Sequence, residues 1–264
     1  MTQRKFGPEV APIDVDLSAE LRLAVSRGEI VAEYQPQVDL KTGRIVAAEA
    51  LARWIHPASG VVAPENFIPT AETTGVIHSL GRFMIEKAVE VLLDWRKAGI
   101  ELELSVNVSA VQLTQVEFYD QLDDDLTMLA EAAPKLTIEI TESEPILDTP
   151  SIAERLSELR DRGLGIAIDD FGVGHSDAAQ LDRVPATELK IDQALTQDNS
   201  AEVTALLEAV VELAHWRGIQ VVAEGVETRE QLDRMTRLGC DRAQGYLLGR
   251  SMPRQDLEAL LKSR

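Results

Sequence analysis

The sequence is poor in cysteine, in basic residues and in long apolar runs. Its 264 residues include one cysteine, Cys240, which excludes a disulfide framework and any zinc site built from several cysteines. No run of about 18 consecutive apolar residues occurs, so the sequence predicts no membrane span. The first residues contain no apolar segment typical of a signal peptide, and we therefore expect a cytoplasmic protein.

The balance of charge is strongly acidic. Lysine and arginine number 26 against 45 aspartate and glutamate, which gives a formal net charge of −19. Proteins that coat DNA or RNA neutralise phosphates with lysine and arginine, so this balance argues against that class of protein. A hydrophobic fraction of 45% is enough for a packed core and excludes disorder as the global state.

Short apolar runs alternate with segments of helical periodicity along the chain. We count eight predicted strands, most of them followed by a helix, and this order is typical of a parallel sheet covered by helices. Eight such units in roughly 245 residues favour an α/β fold of the (β/α)8 TIM-like barrel type. We expect residues 1–17 to be a tail or linker and residues 18–264 to be a single barrel domain.

The first two predicted strands give the barrel one irregularity. The first covers Ile30 to Pro36, the second ends near Glu49, and the turn KTGR joins them. A parallel crossover needs about a dozen residues or more, so four turn residues are too few. The sequence therefore predicts that the first strand is antiparallel to the second.

Every predicted strand carries a polar residue within it or at its C-terminal end. A carboxylate at one strand end is most often a helix N-cap or a surface group. A barrel, however, brings its strand ends into one ring, where barrel enzymes have their active sites. The residues concerned are Gln35, Glu49, Asn107, Glu139, Asp169, Asp170, Lys190, Glu224 and Gln244.

Five of these residues are carboxylates, and their mutual repulsion in one cleft calls for counter-ions. Oxygen-rich clusters favour hard cations such as Mg²⁺ or Mn²⁺, and Asn107 adds a neutral oxygen. The adjacent Asp169 and Asp170 are suited to two ions about 3.5–4 Å apart, the arrangement used for displacement at phosphorus. Zinc is not favoured, because the four histidines show no paired spacing.

Nine motifs spread over the chain resemble those of one known family. They are YQPQVDL, EALARWIHP (residues 49–57), FIPTAE, SVNVS, IEITES, IDDFG, ELKID, AEGVE and LGCDRAQGY. The sequence resembles the EAL-domain family of cyclic di-GMP phosphodiesterases from about Leu21 to Leu260. This resemblance implies that cyclic di-GMP is the partner and that one of its phosphodiester bonds is hydrolysed to give linear pGpG.

The resemblance also implies a role for individual residues. Lys190 would orient the attacking water, and Glu49, Asp169 and Asp170 would act with it in catalysis. Arg53 would grip a substrate phosphate, for which guanidinium geometry is suited. The expected ligands of two Mg²⁺ or Mn²⁺ ions are Glu49, Asn107, Glu139, Asp169, Asp170 and Glu224. The other expected pocket residues are Gln35, Asp192, Glu227 and Gln244, and Glu142 would anchor the loop that follows Asp170.

That loop departs from the family pattern. It reads DFGVGHSDA where the family has DFGTGYSSL, so Val173, His175 and Asp177 replace a threonine, a tyrosine and a serine. The resemblance implies that the loop couples the second metal position to a homodimer. Two alternatives therefore stay open, a non-catalytic cyclic di-GMP receptor and a protein-interaction domain that binds no nucleotide. The intact set of expected metal ligands favours the enzyme over these alternatives. Whether the chain is free-standing or part of a longer protein also stays open.

Overall fold

A closed barrel of eight strands lies at the centre of the protein. The structure is a computed structural model, and it describes residues 17–130, 135–141, 149–172 and 184–262. The strands are β1 (Ile30–Asp39), β2 (Ile45–His56), β3 (Gly60–Val62), β4 (Glu103–Asn107), β5 (Leu136–Thr141), β6 (Gly165–Phe171), β7 (Glu188–Ile191), β8 (Gln220–Ala223) and β9 (Arg242–Gln244).

Helices follow most of the strands and cover the outside of the barrel. They are α1 (Leu17–Ala24), α2 (Pro64–Thr74), α3 (Ile77–Ala98), α4 (Ala110–Leu113), α5 (Val116–Leu129), α6 (Pro150–Asp161), α7 (Gln193–Gln197), α8 (Ala201–Trp216), α9 (Arg229–Leu238) and α10 (Arg254–Lys262). Among the described residues, no helix is both long and apolar enough to cross a membrane. Residues 1–16 of the predicted tail lie outside the described residues, and Leu17, its last residue, begins α1 instead. A helical stretch predicted around residues 177–182 also lies outside the described residues.

The strand order confirms the predicted barrel. Going round the sheet, the order is β1, β9, β8, β7, β6, β5, β4 and β2, and β2 closes the ring onto β1. All neighbours from β2 round to β9 are parallel. Strand β1 is antiparallel to both β2 and β9, as the short turn predicts.

The β1–β2 hairpin is longer than the sequence predicts. The expectation that the second strand ends near Glu49 is wrong, because β2 continues to His56. The residues after Glu49 continue the strand pairing with the first half of β1, from Leu51 opposite Glu33 to Trp54 opposite Ile30. The end of β2 then pairs with β3, a short antiparallel strand that the sequence does not predict.

Apolar side chains form two separate clusters in the described part of the chain. The larger lies between the barrel strands and the surrounding helices. The smaller, called the outer cluster here, joins α1, α2, the start of α3 and residues of the strands β1, β2 and β3. Its members are Leu21, Ala24, Ile30, Trp54, Val62, Phe67, Ala71, Val76, Ile77 and Leu80.

The lower part of the barrel interior is charged. Most TIM barrels fill this space with branched apolar side chains. Here the Arg242 guanidinium lies 2.5 Å from Glu103 Oε2 and 3.4 Å from Glu188 Oε2. These three residues, called the base triad here, lie on β9, β4 and β7, and each of these strands carries a predicted site residue further along. The base triad therefore links strands on different sides of the ring beneath the site.

Candidate active site

A buried lysine lies at the centre of the polar ring. Lys190, on β7, is only 1% exposed, and its Nζ atom is surrounded by carboxylate oxygens from four other strands or their ends. The distances are 2.6 Å to Glu139 Oε2, 2.8 Å to Glu224 Oε1, 3.0 Å to Asp169 Oδ1 and 3.6 Å to Glu49 Oε2. The structure thus brings the predicted carboxylates and Lys190 together.

The two adjacent aspartates occupy an irregular part of β6. Successive side chains of a regular strand point to opposite faces, so neighbours seldom share one site. Here the register with β7 shifts between Ile168 and Phe171. Asp170 has the left-handed φ of 57°, a conformation that few residues other than glycine adopt. The irregular backbone lets both Asp169 and Asp170 line the same cleft.

Three carboxylates are arranged to receive a cation. Asp169, Asp170 and Glu224 each offer an oxygen, and the three oxygens lie within 4.8 Å of one another. Among the described residues, the buried Glu139 Oε1 atom also has no hydrogen-bond partner. A buried carboxylate oxygen without a partner is costly, and a hard cation would satisfy it. The donor set therefore fits a hard divalent cation.

Amide side chains fix the orientation of Glu49. Asn107 Nδ2 donates to Glu49 Oε1 and Gln244 Nε2 donates to Glu49 Oε2, both at 2.6 Å. Gln244 also contacts Gln35 Oε1 at 3.2 Å and accepts from Gln37 Nε2 at 3.0 Å. Gln37 was not predicted, although its spacing of two from Gln35 on one strand places both on the same face.

Gly245 explains how Gln244 reaches this position. Its φ of 155° lies in a region that favours glycine, and an added Cβ would lie only 2.3 Å from the backbone of Val226. The end of β9 therefore packs directly on the segment after β8, where Glu224 lies. A side chain at residue 245 would separate these two segments.

Burial makes several of the acids hard to ionise. It raises the pKa of Glu139 well above its ordinary value, and the charge of Glu49 adds to the effect. Burial likewise raises the pKa of Glu224 to about 8 and that of Asp170 to about 6, and Asp169 is the negative charge that adds most to each shift. In the absence of cations, part of the carboxylate cluster is therefore protonated near neutral pH.

Glu49 and Lys190 shift the other way and stay charged. Burial opposes ionisation of Glu49, but Lys190 and the two amide donors outweigh it and lower the pKa of its carboxyl group. Burial also disfavours the Lys190 ammonium, but the surrounding carboxylates, Asp169 first, raise its pKa well above the usual value. Lys190 is therefore a cation that donates hydrogen bonds, and it is not a base at neutral pH.

The carboxylate ring lies at the bottom of a cleft of about 920 Å³. A cleft of this size is within the range of small-molecule and cofactor sites. Arg53, Asp192, Glu227 and Gln35 line it, as does one wall from α2. Glu139 does not line the cleft and lies beneath Lys190.

The sequence model of the EAL domain matches residues 18–251 of the chain. The chain belongs to the EAL domain family. The oxygen sensor protein DosP of Escherichia coli is 38% identical over 94% of this chain and 31% of its own length. The bifunctional diguanylate cyclase/cyclic di-GMP phosphodiesterase MucR of Pseudomonas aeruginosa is 37% identical over 93% of this chain and 36% of its own. The chain spans about a third of the length of these relatives.

Solved EAL structures share the fold. The cyclic di-GMP complex of the PaMucR phosphodiesterase superimposes with a TM-score of 0.86 at 37% identity, covering 92% of this chain and all of that chain. An EAL domain protein from Listeria monocytogenes superimposes with a TM-score of 0.80 at 27% identity, covering 96% of this chain and all of that chain. Both likenesses extend over nearly the whole EAL domain.

Other predicted residues of this EAL domain hold more peripheral positions in the cleft. Asp192 caps α7, with its Oδ1 atom accepting from the Ala194 amide at 2.7 Å. Glu227 is exposed, and its backbone amide donates to Gln231. The predicted loop anchor Glu142 and the altered loop residues Val173, His175 and Asp177 lie outside the described residues. The dimer predicted through that loop therefore stays a prediction.

Proposed function

We propose that the chain is a metal-dependent phosphodiesterase that hydrolyses cyclic di-GMP to linear pGpG. The observation that carries the proposal is the ring of carboxylates around one buried lysine at the bottom of an open cleft. The likeness to MucR, a cyclic di-GMP phosphodiesterase by name, supports the choice of substrate.

Divalent cations would be held by the oxygen ligands of the ring. The proposed ligands are Glu49, Asn107, Glu139, Asp169, Asp170 and Glu224, and two Mg²⁺ or Mn²⁺ ions are expected. When bound, the cations would lower the pKa of a water molecule and neutralise negative charge on the phosphate. Asp169, Asp170 and Glu224 are the best placed of the set, because their oxygens already lie close together.

Lys190 would act as a fixed hydrogen-bond donor in the reaction. Its ammonium is held by carboxylates from several strands, so its position changes little when the substrate enters. A charged donor in a buried site can orient the attacking water and stabilise the negative charge that develops on the phosphate oxygens. Because Lys190 stays protonated, a carboxylate and not Lys190 would remove the proton from the attacking water.

The remaining cleft residues would bind and orient the substrate. Arg53 would contact a phosphate of cyclic di-GMP, since a guanidinium presents parallel N–H donors to phosphate oxygens. Asp192 and Glu227 carry carboxylates, which suit the N–H groups of guanine. Gln35 and Gln244 would support these contacts and keep Glu49 in place.

Product analysis tests the proposal directly. The purified chain is incubated with cyclic di-GMP and Mg²⁺ or Mn²⁺, and pGpG is separated by chromatography. We expect pGpG with the parent protein and none after Asp170→Asn, because that change removes a carboxylate from the cation cluster. Glu208→Gln, a matched change of an exposed glutamate on α8, should keep full activity. Binding of cyclic di-GMP without product would favour the non-catalytic receptor, and no binding would contradict both.

A further inference from the structure

The Arg53 side chain is held by three hydrogen bonds from its own guanidinium group. Its Nε atom donates to Glu33 Oε2 at 3.1 Å, and Nη2 donates to Ser251 Oγ at 2.9 Å. Ser251 Oγ in turn donates to the same Glu33 oxygen at 2.7 Å. The third contact is from Nη1 to the backbone oxygen of Ala52 at 2.9 Å. We call Glu33, Ser251 and the Ala52 carbonyl the Arg53 clamp.

The β1–β2 register explains why Glu33 reaches Arg53. Val31 lies opposite Arg53 and Glu33 lies opposite Leu51, so Glu33 is the diagonal neighbour of Arg53 on the same face of the hairpin. The ion pair is mostly buried, with 18% of the Arg53 side chain and 29% of the Glu33 side chain exposed. Pairing along the full hairpin fixes both backbones, so the clamp has a rigid base.

The clamp leaves a defined part of the guanidinium for a ligand. Arginine has five N–H donors, and three of them bond to the clamp. Within the described residues, one N–H on Nη1 and one on Nη2 are left without a bond. Arg53 lines the cleft, whereas Glu33 and Ser251 do not. The clamp therefore occupies one side of the guanidinium and leaves donors on both terminal nitrogens.

We infer that Glu33 and Ser251 are positioning residues that hold Arg53 ready to bind a phosphate of the substrate through its terminal nitrogens. The inference rests on the proposed function and adds residues that neither line the cleft nor belong to the predicted site. A free arginine side chain has many rotamers, and ordering it on binding would reduce affinity. Glu33 restricts those rotamers before the substrate arrives.

A double-mutant cycle separates this role from a general structural one. Glu33→Ala should raise the Kd for cyclic di-GMP at least about tenfold, because it removes a hydrogen bond to a charged group. Glu33→Gln keeps an oxygen acceptor and should stay within about threefold of the parent. In the Arg53→Ala background, Glu33→Ala should have almost no further effect, because the residue that it positions is absent. Glu208→Ala removes the same charge elsewhere and should leave Kd unchanged.

Calorimetry with Ca²⁺ in place of Mg²⁺ measures these Kd values without turnover, since Ca²⁺ is expected to support binding and not hydrolysis. Steady-state rates with Mg²⁺ should show a raised KM and a nearly unchanged kcat for Glu33→Ala, as for a contact made equally in ground and transition states. An equal loss of affinity in both backgrounds would overturn the inference. Tighter binding by Glu33→Ala would also overturn it, because Glu33 would then compete with the phosphate.

A second measurement needs no nucleotide. The Nε–Hε signal of Arg53 in a ¹⁵N NMR spectrum can be assigned from its loss in Arg53→Lys. We expect slow solvent exchange in the parent and in Glu33→Gln, and fast exchange in Glu33→Ala. If the parent protein binds no cyclic di-GMP, the proposed function fails and this signal alone tests the clamp. Fast exchange in the parent protein would refute it.

Discussion

The metal-free protein should lose stability between pH 6 and pH 8, because the fold keeps Glu224 protonated. Burial raises the pKa of Glu224 from 4.5 to about 8, and Asp169 and Glu49 add to the shift against the opposing charge of Lys190. Between these two pKa values the folded chain holds a proton that the unfolded chain has released. The free energy of unfolding therefore falls as the pH rises through this window.

The size of the effect follows from the shift. Each pH unit inside the window changes the free energy of unfolding by up to about 1.4 kcal/mol. Near pH 8 Glu224 begins to ionise in the folded protein too, and this reduces the change at the upper end of the window. Glu224 alone therefore lowers the free energy of unfolding by about 2 kcal/mol between pH 6 and pH 8. In a domain of this size that corresponds to a Tm lower by about 4–8 °C. Glu139 acts in the same direction, whereas the lowered pKa of Glu49 lies below the window.

Urea denaturation in EDTA at pH 6, 7 and 8 measures the effect. Glu224→Gln imitates the protonated side chain. The free energy of unfolding of this variant should therefore change by about 2 kcal/mol less over this pH range than that of the parent protein. Glu208→Gln should keep the pH dependence of the parent protein. Saturating Mg²⁺ should stabilise the parent most at pH 8, because cations favour the ionised carboxylates. Identical pH dependence in Glu224→Gln and the parent would show that Glu224 is already ionised in the folded state and would refute the reasoning.

Three other predictions concern the metals, the lysine and the altered loop. Chelation should abolish hydrolysis, Mg²⁺ or Mn²⁺ should restore it and Ca²⁺ should inhibit it. Glu49→Ala should be inactive with an unchanged circular dichroism spectrum. Activity that survives chelation would remove the metals from the mechanism, and activity of Glu49→Ala would remove Glu49. Lys190→Ala should lower kcat by orders of magnitude with Kd nearly unchanged, and the opposite pattern would make Lys190 a binding residue. Val173→Thr combined with His175→Tyr should lower the Mg²⁺ concentration needed for half-maximal rate, and superimposable metal titrations would show that these substitutions are neutral.

Local sequence patterns were sufficient for the barrel and for most of the polar ring. Short apolar strands alternating with helices leave few possible folds, and the turn KTGR is too short for anything but a hairpin. Barrel closure then places polar strand residues such as Glu139 and Lys190 in one ring, whatever their separation in sequence. The prediction therefore depended on residue type and on the order of strands and helices, both of which can be read from local sequence patterns.

Contacts between distant segments could not be predicted in this way. Glu33 and Ser251 are 218 positions apart, and nothing in either segment indicates that they meet. The base triad similarly joins three strands, and no local pattern around Glu103, Glu188 or Arg242 indicates that their side chains meet. The left-handed backbone of Asp170 has no local signal either, since aspartate adopts this conformation only occasionally and extended conformations far more often. Each of these features needs the folded arrangement before it can be inferred.

The outer cluster has a consequence for how the cleft can open. In the described part of the chain it contains 10 buried apolar residues, against 44 in the larger cluster. Buried apolar area sets most of the cost of separating packed elements, so α2, which forms one wall of the cleft, and the α1 helix packed with it form the weaker cooperative unit of the domain. Sub-global unfolding would release this wall first and leave the strands that carry Lys190 and its carboxylates paired. Under the proposed function, loosening this wall would let a bulky dinucleotide enter or leave the cleft while the carboxylate ring stays folded.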